Sequence, residues 1–183
     1  MIKLLPICSK LFLKGFLVAW LILLSGFYNL GLAQPTYCTS SGNTSYQTSI
    51  TLVSFNSIYN SSSKPSGYSD YTSLVTEVVK GTSLALTVNV NTDGNYRVYA
   101  SAWIDWNIDG DFNDAGESFN LGSAINTSNG PTSACPLTIA IPAGAVTGTT
   151  RMRISAKYYG YPASCETGFD GEVEDYSLSI QDP

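Results

Sequence analysis

Apolar and polar residues alternate along most of the chain beyond its N-terminal segment, with turn-forming residues between the alternating segments. The clearest alternating segments are residues 84–90, 98–106, 137–141, 152–158 and 176–180, and weaker ones are 50–59, 74–79 and 117–124. A period of two is typical of a half-buried β-strand, because successive side chains point to opposite faces of a sheet. The pattern therefore predicts about eight strands.

The fold class follows from the number and length of these strands. No segment shows a helical period of useful length. Many short strands within the length of one domain favour an all-β fold, here an antiparallel, jelly-roll-like β-sandwich. Residues 39–45 and 60–69 are rich in Ser, Asn and Gly, and we predict that they are loops of this domain rather than linkers.

The N-terminal segment has the features of a secretory signal peptide. Three lysines give it a basic start, residues 16–24 are apolar, and Gly31-Leu32-Ala33 is a small-x-small cleavage pattern. An uncleaved membrane anchor is the alternative, although the apolar residues 11–24 fall short of the roughly 20 that span a bilayer. We predict a signal peptide over 1–33, a single domain over 34–183 with no membrane contact after cleavage, and a secreted or cell-surface location.

Charge and composition restrict the possible functions. All fourteen acidic residues follow the signal segment and three of the nine basic residues lie in it, so residues 34–183 carry a net charge of −8. Such a surface suits cations and disfavours nucleic acid and anionic lipid. The chain has no histidine, which excludes Ser-His-Asp and Cys-His catalysis and His-ligated zinc or iron.

The cysteines indicate one disulfide. Cys8 lies in the predicted signal peptide, which leaves Cys38, Cys135 and Cys165 in the exported chain. Export favours a disulfide between two of them, and their spacing does not decide which two. The absence of a CxxC motif makes a zinc site improbable.

Residues 105–117, which we call the acidic loop, carry candidate metal ligands. Asp105, Asn107, Asp109 and Asp111 recur at every second position with Gly110 among them, which is the D-x-N-x-D-G pattern of calcium loops. An EF-hand is not expected, because the flanking segments are predicted strands and Glu117 comes one residue later than the closing ligand. We predict a calcium ion held by these four residues and Glu117. A solvated acidic turn is the alternative.

The hexapeptide GEVEDY, residues 171–176, opens the last predicted strand. Strand alternation places Glu172 and Glu174 on the core-facing side, where carboxylates need partners or a metal ion. Glu174 is therefore a candidate sixth ligand, reaching the calcium ion from the last strand. Asp175 points the other way, and we expect it to pair with Arg151 or Arg153 as an ordinary cross-strand ion pair.

Several motifs in one order resemble the GEVEDY domain family of secreted and cell-surface bacterial proteins. They are Tyr37-Cys38, GYSDYT at 67–72, AWIDWNIDGDF at 102–112, AGE at 115–117, IPAG at 141–144, TRMR at 150–153 and the hexapeptide itself. The resemblance implies a β-sandwich that often accompanies larger exported proteins such as peptidases and adhesins. It also implies a disulfide between Cys38 and Cys165, with Cys135 left as a free thiol.

These observations predict a non-catalytic, calcium-stabilised extracellular module that binds a cell-surface glycan or protein. Tyr158, Tyr159 and Tyr161 are candidate ligand contacts, although tyrosine is also common at strand ends for structural reasons. One alternative is a structural component, or a fragment of a larger exported adhesin or peptidase. Another is a carboxylate-based glycosidase using Glu172, Glu174 and Asp70, which is unfavourable because acids beside a cation stay ionised.

Overall fold

The computed structural model describes residues 35–183, so the predicted signal peptide and Cys8 lie outside the described residues. Within that range the chain forms strands and connecting loops, without a helix. The strands are β1 (Ser41–Asn43), β2 (Ser49–Phe55), β3 (Ile58–Ser61), β4 (Tyr68–Val79), β5 (Ser83–Asn91), β6 (Arg97–Ile104), β7 (Ser118–Ile125), β8 (Gly130–Pro131), β9 (Leu137–Ala140), β10 (Gly148–Tyr158) and β11 (Thr167–Gln181).

The larger sheet has six strands and is built around β11. Its order is β1-β11-β10-β6-β7, and β4 also pairs with β11. β10 runs antiparallel to β11, whereas β1 and β4 both run parallel to it, along its N-terminal and C-terminal parts respectively. The hexapeptide therefore lies in the interior of a sheet, between β4 and β10.

The smaller sheet has five strands, all paired antiparallel. β2 lies between β3 and β5, and the short strands β8 and β9 pair with β5 along its other edge. One hydrophobic core is shared by the facing sides of the two sheets, with Val53 and Val88 contributed by the small sheet and Ala102, Ile154 and Leu178 by the large one. The architecture is that of a β-sandwich.

The all-β sandwich predicted from the sequence is confirmed, and the alternating segments lie in strands, although 50–59 is divided by a turn into β2 and β3, and 98–106 extends two residues beyond the end of β6. The structure differs in having eleven strands in the described residues, not about eight, and in the parallel pairing of β1 and β4. The predicted loop 39–45 contains β1, and 60–69 contains the end of β3 and the start of β4. In residues 35–183 no helix is long and apolar enough to cross a membrane.

Candidate functional site: the acidic loop and the groove beside it

Asp105 anchors the acidic loop from inside. The residue is fully buried at the end of β6, and its carboxylate accepts hydrogen bonds from the backbone N–H groups of Ile108 at 2.6 Å and Gly110 at 3.0 Å. The hydroxyl of Tyr37 donates to the same carboxylate at 2.8 Å. Both carboxylate oxygens are thus engaged in shaping the turn and in attaching the segment before β1 to it.

Glu117 closes the loop from its other end. The residue is 1% exposed, and its carboxylate accepts the backbone N–H of Trp106 at 2.8 Å and that of Asp114 at 3.4 Å. The indole N–H of Trp106 donates to the carbonyl of Gly116 at 3.1 Å. Burial raises the pKa of Glu117 above its ordinary value. Two of the predicted ligands, Asp105 and Glu117, are therefore part of the loop's internal framework.

The exposed acids of the loop gather around Asn107. Its amide nitrogen donates to a carboxylate oxygen of Asp109 at 2.9 Å and to one of Asp114 at 2.6 Å. The backbone N–H of Asp111 donates to Asp109 at 3.1 Å, which keeps Asp111 on the same exposed turn. Asp114 was not predicted as a site residue, because it falls outside the every-second-residue pattern. Its sequence position within an acid-rich turn was the available signal.

The acidic loop does not present a finished metal cage. In the part of the chain that the structure describes, no group of three or more His, Cys, Asp or Glu side chains is arranged to hold a metal ion. Three carboxylates of the loop are exposed and could turn outward, those of Asp109, Asp111 and Asp114. Any cation held here would take its oxygens from this exposed set and from Asn107.

Glu174 lies apart from the acidic loop, in the interior of the sandwich. Its carboxylate accepts hydrogen bonds from the hydroxyls of Ser62 at 2.7 Å and Tyr176 at 2.6 Å. Asn60, at the end of β3, donates to the hydroxyl of Tyr176 at 2.9 Å. The structure therefore joins Glu174 to the opposite sheet, and does not bring it together with the five predicted ligands of the loop.

Glu172 is buried beside Glu174 on the same face of β11. Its carboxylate accepts the backbone N–H of Ile50 at 3.0 Å and the hydroxyl of Ser69 at 3.2 Å. Burial, reinforced by the neighbouring Glu174, raises the pKa of Glu172 to about 8. Burial likewise raises the pKa of Glu174 to about 7, against the opposing effect of its two hydroxyl donors. The core-facing parity predicted for both residues is confirmed.

Asp175, on the outer face of β11, pairs with both arginines that the sequence suggested. Arg153 donates to its two carboxylate oxygens at 2.7 and 2.8 Å, and Arg151 donates at 3.1 Å. Asp175 is fully buried and Arg153 is 2% exposed. The small stabilisation of an exposed ion pair, which we expected from the sequence, therefore does not apply to this pair. Removing one partner of such a buried pair costs about 3–5 kcal/mol.

Arg153 also connects the ion pair to the disulfide. Its guanidinium donates to the carbonyl oxygens of Cys38 at 2.9 Å and Ser164 at 2.8 Å. Cys38 and Cys165 form a disulfide, as the resemblance implied, and Cys135 is a free thiol. The segment before β1 and the loop between β10 and β11 are therefore fixed together on the outer face of the large sheet.

The acidic loop, the arginine pair and the hexapeptide all fall within residues 99–179, which match the GEVED domain family. The matched region runs from β6 into β11, so it supplies most of the six-stranded sheet, whereas β2, β3 and β5 of the small sheet precede it. No curated protein matches the chain.

The three candidate tyrosines lie in two separate places. Tyr158 packs edge-on against Tyr96 with ring centroids 5.5 Å apart, and Tyr159, 81% exposed, lies 6.1 Å from Tyr158. Tyr161 instead packs against Tyr99 at 4.9 Å. The predicted trio is therefore divided, and Tyr96 and Tyr99 join it from β6 and the turn before it.

A groove of about 490 Å³ lies between Tyr161 and the acidic loop. Its floor is the outer face of β6 and β7, where Trp103 is opposite Ser118 and Ser101 is opposite Asn120 in the strand register. None of the ten lining residues is charged. They are Ser101, Trp103, Phe112, Asn113, Ser118, Asn120, Tyr161, Pro162, Ala163 and Ser164. Sequence reasoning missed Trp103 and Asn120 as site residues, because the pairing of β6 with β7 decides that they are neighbours.

Proposed function

We propose that this chain is a non-catalytic, calcium-stabilised extracellular module that contacts a cell-surface glycan or protein. The observation that carries the proposal is the convergence of the Asp109 and Asp114 carboxylates on the side chain of Asn107. Two carboxylates held against one neutral amide leave a concentration of negative charge that a cation would neutralise. Calcium takes six to eight oxygen ligands in flexible geometry, which suits carboxylate and amide groups on a turn.

The donor set fits calcium better than zinc or a transition metal. All the exposed candidate ligands, Asn107, Asp109, Asp111 and Asp114, carry hard oxygen atoms, and the chain has no histidine. Rotation of the Asn107 amide by half a turn would direct its oxygen, in place of its nitrogen, at the two carboxylates. Asp105 and Glu117 would serve by keeping the turn in shape, while Glu174 stays with its partners in the core.

A non-catalytic role is supported by the position of the acids that a glycosidase would need. Glu172 and Glu174 are both fully buried, with their oxygens occupied by hydroxyl and backbone donors. General acid and base groups must reach the substrate within hydrogen-bond distance. The uncharged lining of the groove offers a surface for binding and no carboxylate for bond cleavage.

An extracellular location is supported by the Cys38–Cys165 disulfide. Disulfides form and persist in oxidising compartments, and they are rare where thiol reductants are abundant. The predicted signal peptide would provide the route to such a compartment. A cell-surface module would then meet calcium at about millimolar concentration, where extracellular sites with Kd of roughly 10⁻⁴–10⁻³ M are occupied.

Calcium binding by the exported chain, measured by titration calorimetry, tests the proposal. We expect one site with a Kd of about 10⁻⁴–10⁻³ M, lost in Asp109→Ala. Glu77→Ala is the matched control, because Glu77 is also an exposed carboxylate and lies on β4, outside the acidic loop. Wild-type calcium affinity in Asp109→Ala would refute the ligand assignment, and no heat of binding in the wild-type chain would refute the calcium site.

A further inference from the structure

We infer that the groove between Tyr161 and the acidic loop binds a neutral saccharide. The inference rests on the proposed binding function and specifies its site and ligand class. Its volume of about 490 Å³ falls within the roughly 300–1,000 Å³ of small-ligand sites. Such a volume accommodates a short stretch of a glycan chain rather than a folded protein surface.

The lining combines aromatic faces with uncharged hydrogen-bonding groups. Trp103 lies in the floor of the groove and Phe112 in one wall, and each is 5% exposed. Tyr161 lies on the opposite side and is 47% exposed. Sugar rings present both an apolar C–H face and a rim of hydroxyls. The exposed ring of Tyr161 can cover the first, with Trp103 and Phe112 supplying an apolar base, and side-chain amides and hydroxyls such as those of Asn113 and Ser118 can bond the second.

Asn120 is held in an orientation that favours ligand binding. Its amide oxygen accepts the backbone N–H of Gly122 at 2.8 Å, so the amide nitrogen is the group left to donate into the groove. Asn113 is exposed within the acidic loop, and its backbone N–H donates to the carboxylate of Asp111 at 2.8 Å. The side chain of Asn120 and the backbone that carries Asn113 are thus each fixed by a local turn.

Charge decides in favour of a neutral ligand. The lining itself is uncharged, and Asp111 and Asp114 flank the lining residues Phe112 and Asn113 along the chain. With a net charge of −8 after signal cleavage, the surroundings would repel uronic acids, sialic acids and sulfated sugars within a Debye length of about 10 Å. A neutral hexose, pentose or N-acetylhexosamine avoids this repulsion.

Both walls of the groove are held by contacts elsewhere in the domain. Ser164 is fixed through its carbonyl to Arg153 at 2.8 Å, next to the disulfide at Cys165. Phe112 stacks on Tyr37 with centroids 5.2 Å apart, and Tyr37 in turn donates to Asp105. A preformed groove reduces the ordering that a ligand must bring about. Ordering of the acidic loop by calcium would strengthen the Phe112 wall.

Tryptophan fluorescence offers a direct test, because Trp103 lines the groove and Trp106 is the other tryptophan of residues 34–183. In a Trp106→Phe chain, Trp103 is the sole reporter. We would titrate the exported chain with neutral hexasaccharides of glucose, mannose, xylose and N-acetylglucosamine, and with hexagalacturonate. We expect a saturable emission change with at least one neutral sugar and none with hexagalacturonate.

Groove variants decide whether the sugar lies where we place it. Tyr161→Ala and Asn113→Ala should each weaken binding by about fivefold or more, the loss of one stacking or hydrogen-bonding contact being about 1 kcal/mol. Tyr59→Ala is the control, because Tyr59 is 74% exposed on β3 of the small sheet and lies outside the groove lining, so the sugar affinity of this variant should be unchanged. Circular dichroism melts of each variant establish that it is folded.

The outcomes separate this inference from the proposed function. Sugar binding that is unaffected by Tyr161→Ala and Asn113→Ala would overturn the groove and leave the binding module intact. A chain that binds calcium and none of the four neutral sugars at millimolar concentration would overturn the ligand class alone. Groove-dependent sugar binding without calcium binding would support the inference and refute the calcium site. Tighter binding of hexagalacturonate would contradict the charge argument.

Discussion

Asp105 and Asp109 belong to the same motif but lie in opposite environments. Asp105 is fully buried and accepts hydrogen bonds from two parts of the chain, whereas Asp109 is exposed. The alternating pattern places both on the same turn and cannot distinguish them, because the hydroxyl that completes the Asp105 site belongs to Tyr37. Tyr37 and Asp105 are far apart in the sequence, so this hydrogen bond forms only in the folded sandwich.

Asp105→Ala should destabilise the domain by about 2–4 kcal/mol in calcium-free buffer. The substitution leaves the backbone N–H groups of Ile108 and Gly110 and the hydroxyl of Tyr37 without their acceptor. A fully buried unsatisfied donor costs about 1–3 kcal/mol, and these partly buried ones cost less each. Asp109→Ala should change stability by less than about 0.5 kcal/mol under the same conditions, since its side chain is exposed. Urea unfolding in EDTA measures both, and equal effects of the two substitutions would contradict the framework role of Asp105.

Among the strands, the single glycine of the hexapeptide, Gly171, lets β11 pass close to its neighbours. A Cβ at Gly171 would lie 2.0 Å from the carbonyl oxygen of Ala156 and 2.7 Å from the ring of Phe169. A Cβ at Gly42, in β1, would lie 1.8 Å from the carbonyl oxygen of Gly171. The parallel pairing of β1 with β11 therefore depends on residues without side chains at this crossing.

Gly171→Ala should destabilise the domain by about 3 kcal/mol or more, because the clash is with backbone on β10 and overpacking forces a strand to move. Gly144→Ala is the control, since a Cβ there would meet nothing within 4 Å. Thermal unfolding of the two variants provides the comparison. A Gly171→Ala melt within one degree of wild type would mean that the strands separate more easily than the structure indicates.

Strands with strong alternation were predictable, and the short edge strands were not. β5 and β10 contain regular apolar positions, such as Leu86 and Val88 or Met152 and Ile154, and both were expected. β1 has the sequence Ser-Gly-Asn and β8 is Gly-Pro, which favour turns. These two become strands by pairing with a neighbour that the fold brings to them. The direction of β4 along β11 is likewise a property of the tertiary structure.

At the scale of the whole molecule, the two sheets enclose a pair of acids whose ionisation opposes folding. Glu172 and Glu174 have pKa values of about 8 and about 7 in the folded chain, well above the roughly 4.3 of an unfolded glutamate. Between the unfolded pKa and the folded pKa values, the folded state therefore keeps protons that the unfolded state has released. Stability from this pair is complete at low pH and decreases as the pH rises to about 8.

We expect the free energy of unfolding to fall by more than about 2 kcal/mol between pH 5 and pH 8 in EDTA. The Glu172→Gln, Glu174→Gln double variant should lose most of this slope, because its amides do not titrate. Urea unfolding at several pH values, with both proteins in the same buffers, gives the comparison. A wild-type chain that is as stable at pH 8 as at pH 5 would show that the pair is ionised at little cost in the core.

Thermal unfolding of residues 34–183 at about pH 7.5, in EDTA, in about 10 mM calcium and in about 10 mM magnesium, tests whether a calcium ion stabilises the acidic loop. With a Kd of about 10⁻⁴–10⁻³ M, calcium at this concentration should stabilise the domain by roughly 1.4–2.7 kcal/mol. That corresponds to a rise in Tm of about 3–10 °C for a domain of this size.

Magnesium should have a clearly smaller effect, since it demands near-octahedral geometry and dehydrates reluctantly. Asp109→Ala should show no calcium-dependent rise. The same Tm in EDTA and in calcium would contradict the calcium site. The exposed acids around Asn107 would then be solvated residues of a turn that Asp105 and Glu117 stabilise without a metal ion.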